Sequence, residues 1–214
     1  MSAVTSPAPA TVAAPASNRL ALTGVGFAVL FIASLVFSGL AGSATYPSPF
    51  ETDQVAEAYF ADNGGVVLGM GILQLLSAVP LAAFVLALTK RPGLARTGGL
   101  CAVAGLAACA LIGLAIPVLD ASGDTLHTLH YLTFMAGGPA HVPFLGIVVG
   151  ASALAFRTSA PRWTTVLGLT SAGLALLSLA TFVSESLMLL LPLGRFTAIL
   201  WILVTAVRAA RLRK

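Results

Sequence analysis

LALTGVGFAVLFIASLVFSGLAG, residues Leu20 to Gly42, holds no charged side chain over 23 consecutive positions. As a helix rising about 1.5 Å per residue it is roughly 34 Å long, enough to cross a hydrocarbon core about 30 Å thick. It exceeds the apolar core of a signal peptide and has no matching cleavage context, so it reads as a first membrane span. Its Ser34, Ser38 and Gly42 recur every four residues and give one face small enough for another helix to approach closely.

Working outward, the same character returns along the chain. Further apolar stretches occupy about Gly65 to Leu88, Thr97 to Leu119, Tyr131 to Phe156 and Trp163 to Ser184. A last one, Ser186 to Val207, is interrupted by Pro192, Gly194 and Arg195, which predicts a shorter sixth helix starting near Leu193. Over the 214 residues, 58% are hydrophobic and 8% charged, where a soluble domain carries about a quarter charged. The expectation is an all-α polytopic membrane bundle of six transmembrane helices. Residues 1–18 read as a disordered Pro/Ala-rich tail, 19–207 as the transmembrane domain and 208–214 as a basic tail.

Charges sort by alternate loops. Arg19, Lys90, Arg91, Arg96, Arg157, Arg162 and the tail bases fall at one end of such a bundle, and six of the seven acids fall at the other. The positive-inside rule then places both termini in the cytoplasm. The basic pI follows from this asymmetry and gives no reason to expect nucleic acid; the lipid bilayer is the first partner. Cys101 and Cys109 lie roughly 12 Å apart on one helix, too far for a disulfide. They read as small packing residues.

The loop Gly42 to Gly65 combines YPSPF with DQVAEAYFADN and carries four acids and no base. Val55 with Tyr59, and Ala56 with Phe60, are paired four residues apart, which suggests a short helix in the interface with its aromatics toward the headgroups. The second span has one strongly polar residue, Gln74, and Pro80 as an expected kink.

The stretch DASGDTLHTLHYLTFMAGGPAHVPFLGIVVG, Asp120 to Gly150, holds all three histidines and two prolines four residues apart. Pro139 and Pro143 lack N–H groups, so a helix there loses donors to the carbonyls of Met135 and Pro139 and breaks locally. In hydrocarbon those carbonyls need partners, which turns the broken face and His141 toward the bundle interior. Asp120, Asp124, His127 and His130 are spaced for a metal site at the rim, since 124, 127 and 130 are one-turn neighbours. His141 is roughly 16 Å deeper than His130 and cannot join it on one ion. Haem ligation is disfavoured because every histidine comes from one segment, and no serine or cysteine falls in a nucleophile motif. No cofactor is indicated, and an enzyme is the least supported class.

Glu185 and Arg195 are the close opposite charges of the last hairpin, flanking SLMLLLPLG. Charge there is expensive unless paired, so a bridge between them is expected. Together YPSPF with VAEAYFADN, GGPAHVPFLGIVVG and LLPLGRFTAILWILV resemble a bacterial family of small multi-pass membrane proteins known only as a domain of unknown function. The resemblance covers about Leu20 to Val207. It implies the same architecture in a bacterial plasma membrane, and no activity or ligand.

Two functions remain. One is small-molecule or ion binding or transport through an outward-facing polar pocket, with His141, Gln74, Glu185 and Arg195 as its groups. The other is a noncatalytic accessory or structural protein packing its small-residue faces against membrane-protein partners.

Overall fold

The computed structural model describes residues 17–89 and 93–211, without the side chains of residues 17–19, 21 and 185. The Pro/Ala-rich tail over residues 1–16, the loop bases Lys90 and Arg91, the terminal Arg213 and Lys214, the Arg19 side chain and the carboxylate of Glu185 therefore lie outside the described residues. So does the expected Glu185–Arg195 bridge.

The described chain is all helical. Seven α-helices follow in order: α1 (Ser17–Ala41), α2 (Asp53–Leu88), α3 (Leu94–Val118), α4 (Gly123–Gly137), α5 (Val142–Ala155), α6 (Arg162–Leu177) and α7 (Leu190–Arg211). Two short 3₁₀ turns, Ser178–Phe182 and Glu185–Leu187, join α6 to α7. Because α4 and α5 run on as one broken rod, these make six helices long and apolar enough to cross a membrane.

Each span packs on its sequence neighbours, and α7 returns to pack on α1, so the spans close into a ring. The contact of α5 with α7 runs across that ring, between the fourth and sixth spans. The broken fourth span is the most enclosed, with 61% of its apolar window buried against 33 to 39% for the others.

The main core lies toward the basic end, where Phe27, Phe31, Leu81, Phe84, Leu145, Val149, Trp201 and Ile202 interlock. Trp201 Nε1 donates to the Thr164 carbonyl at 3.0 Å, and Arg208 Nη1 donates to the Thr164 hydroxyl at 3.1 Å. These bonds fasten α7 to the start of α6. The outer faces are apolar: on α1, Leu22, Val25, Val29, Ile32, Val36 and Leu40 are all exposed at helical spacing. A surface of that kind suits acyl chains and not water.

Three sequence expectations need correcting. The segment at Val55–Phe60 is not a separate interfacial helix, because α2 begins at Asp53 and continues through it with a single kink at Asn63 (φ −118°, ψ 20°). Its aromatics turn inward: Tyr59 and Phe60 are buried and pack edge to face with Tyr46 and with each other. Asn63 fixes the kink by accepting from the N–H and hydroxyl of Ser43 (2.9 and 3.1 Å) while donating to the Tyr59 carbonyl at 3.0 Å. Helical geometry, by contrast, persists through Pro80. In the last span α7 starts at Leu190, with Pro192 in its first turn, where the missing N–H costs nothing.

Candidate functional site: a cavity beneath the acidic end

The break in the fourth span shapes the site. An uninterrupted helix would send the N–H of residue 139 to the Met135 carbonyl, but residue 139 is proline. Ala140 N–H takes over that carbonyl at 2.9 Å, one residue late. The N–H groups of His141 and Val142 then both converge on the Gly138 carbonyl, at 3.1 and 2.9 Å. His141 would otherwise have bonded Gly137, so the Gly137 carbonyl is left over. It receives Nη2 of Arg195, reaching across from α7. A polar debt created by one span is thus met by an arginine in the second turn of another.

Arg195 also lies over the Phe31 ring, with its guanidinium carbon 5.3 Å from the centroid, a cation–π contact in a water-poor setting. Its Nε is buried and has no hydrogen-bond partner. Among the described residues no carboxylate pairs with it.

Arg195 forms the floor of a cavity of about 900 Å³. The walls come from α1 (Phe31, Leu35, Ser38), α2 (Met70, Gln74), α3 (Leu106, Cys109), α4 (His130, Thr133, Phe134) and the start of α7 (Leu191, Phe196). The loop from Gly42 to Pro49, with Glu51, roofs it. Cys109 Sγ donates weakly to Gln74 Oε1 at 3.8 Å, which holds the amide on the cavity wall. Tyr46 closes the roof against Phe60 and His130. Its ring edge is partly exposed, but its hydroxyl is buried without a partner, and this burial, with Cys109 and Tyr59 as lesser contributions, pushes the phenol above its ordinary value.

Of the pocket residues expected from the sequence, Gln74 and Arg195 do line this cavity. His141 does not. It is fully buried on the other side of the break, where Nδ1 lies 2.7 Å from the Ala102 carbonyl of α3 and so carries the proton. The physical reason is the close approach of α3, made through Gly105: a Cβ there would stand 3.0 Å from the Ala140 carbonyl oxygen and 3.1 Å from His141 Cα. His141 is therefore a strut for the break and not a wall of the pocket.

The expected metal group is dispersed. His127 Nδ1 meets Asp53 Oδ1 at 2.8 Å on an exposed surface, tying α4 to the start of α2. His130 turns into the aromatic cluster with Tyr46 and Phe60. Asp120 sits in the α3–α4 turn with φ 49°, and Asp124 in the first turn of α4. No three His, Cys, Asp or Glu side chains among the described residues come close enough to hold an ion.

Sequence reasoning missed Tyr46, Cys109, Phe31 and the Gly137 carbonyl. The one available signal was GGP before His141: two glycines ahead of a proline give a carbonyl no side chain covers. Comparison with known protein families, with curated proteins and with solved structures finds no match.

Proposed function

We propose that the chain is a bacterial plasma-membrane protein, both termini cytoplasmic, that binds or transports a small molecule through this cavity. The observation that carries the reading is the cavity itself, ending on a half-buried arginine with no carboxylate partner among the described residues and with its Nε buried and unpartnered. A buried cation is costly unless something compensates it. A carbonyl and a ring supply part of that compensation, and a ligand supplies the remainder. Size also agrees, since small-molecule sites fall at roughly 300–1,000 Å³. The resemblance to the bacterial multi-pass family belongs to the same proposal and adds no ligand.

The accessory reading draws on small-residue faces, and these are largely used inside the chain. Ser34 and Ser38 are buried, and a Cβ on Gly24 would collide with Ala206 of α7 at 2.8 Å. The small residues therefore serve the ring's own closure.

Gly39 tests the choice, because it lines the cavity while its own Cβ position is open. Gly39→Trp should plug the space without disturbing the fold. In a small-molecule screen read by unfolding temperature in lipid nanodiscs, compounds that stabilise the wild type should lose their effect in this variant. Saturating a site at 100 times Kd is worth about 2.7 kcal/mol, ample to detect. Stabilisation that is equal in both proteins would place binding elsewhere and favour the accessory role.

A further inference from the structure

The cavity has two kinds of rim. On the water side stand Ser43, Ala44, Thr45 and the acidic Glu51, all exposed. On the other side the wall between α1 and α7 is finished by Gly39, Pro192 and Phe196, which are also exposed. Their neighbours Val36, Leu40 and Leu193 are 50%, 84% and 51% exposed and belong to the apolar outer surface. The second rim therefore faces acyl chains.

Between rim and floor the lining is mostly apolar: Leu35, Met70, Leu106, Phe134 and Leu191 surround the path to Arg195. A metal cation or a small hydrophilic solute would find only the scattered polar groups of Ser38, Gln74, His130 and Thr133 on otherwise apolar walls. A bare aqueous anion would also pass Glu51 before reaching the guanidinium. An apolar body carrying one anionic head meets every feature, with the head on the guanidinium and the body along the wall toward the α1–α7 gap.

Building on the ligand-binding reading, we propose that the cavity takes a single-headed anionic amphiphile of the fatty-carboxylate class, entering from the bilayer between α1 and α7. The head accepts from the guanidinium of Arg195, which lines the cavity and whose Nη2 is already committed to Gly137. A planar, always charged guanidinium suits a carboxylate better than an ammonium group does. Pro192 and Phe196 frame the gap through which the chain trails.

Three photoactivatable sixteen-carbon probes with the same diazirine-bearing chain, ending in a carboxylate, an alcohol or an amine, test this in nanodiscs. The carboxylate should label peptides containing Leu35–Thr45 and Met188–Phe196 roughly tenfold more than the amine, since one charge-assisted hydrogen bond is worth that much. The preference should vanish in Arg195→Gln and persist in part in Arg195→Lys. Excess octanoate in the water competes if the site also accepts carboxylates from solution. Failure of octanoate, with displacement by unlabelled palmitate, restricts the source to the bilayer. Equal labelling of these peptides by all three probes would overturn the anionic class while leaving a binding cavity. Labelling spread over the outer faces, unaffected by Gly39→Trp, would overturn the cavity reading itself.

Discussion

Single buried polar atoms without a partner set the energetics around the cavity. Arg195 Nε and the Tyr46 hydroxyl are both buried and unsatisfied, and each costs stability while it stays so. Removing a hydroxyl that has already lost its water leaves no new debt. Tyr46→Phe is therefore expected to match or exceed the wild type by about 1 kcal/mol at neutral pH, measured by denaturant unfolding in mild detergent. The variant separates further at high pH. Burial holds the Tyr46 phenol above its ordinary value, so above about pH 10 the unfolded chain gives up this proton while the folded chain keeps it. Wild-type stability should then fall more steeply with rising pH than that of Tyr46→Phe. Parallel curves would show that the hydroxyl reaches water. None of this was legible in YPSPF, because the burial of Tyr46 depends on Phe60 and His130 from distant helices.

At the element scale the decisive feature is the break between α4 and α5. Its existence was legible, since two prolines four residues apart remove two helical donors. Its consequence was not. The prolines mark Met135, yet Ala140 satisfies that carbonyl, and Ala136 and Gly137 are the groups that lose their helical donors, found only by following each N–H to its new acceptor. α3 reaches the break through Gly105, and α6 and α7 meet through Gly194. A Cβ on Gly194 would stand 2.7 Å from Ala175 Cα and 2.8 Å from its nitrogen, atoms that cannot move without moving α6. Gly194→Ala should cost about 1–3 kcal/mol as overpacking and displace the start of α7, which carries Arg195. Gly105→Ala has contacts of 3.0 to 3.1 Å and should cost less while loosening the His141 bond to Ala102. Thermal unfolding of the two variants checks the order; a Gly194→Ala protein as stable as the wild type would mean that α6 and α7 are not in such close contact.

For the whole molecule, hydropathy alone was sufficient for six helices, because each apolar run must satisfy its own backbone and can do so only as a helix. The order of the ring was not available, since lipid-facing and protein-facing residues in these spans are equally apolar. α7 closes on α1 toward the basic end, where Gly24 meets Ala206, and this leaves the proposed outward opening of the cavity at the acidic end. That opening is tested by placing single cysteines in a background with Cys101 and Cys109 changed to alanine, and adding a small membrane-impermeant thiol reagent to intact cells. Ser38→Cys, a cavity wall near the acidic end, should react from outside, while Thr158→Cys on the basic-end loop should react only after permeabilisation. Prior incubation with palmitate should slow the reaction at Ser38→Cys. A cysteine at 38 that reacts from neither side, or only once the membrane is opened, would contradict an outward-opening cavity above Arg195.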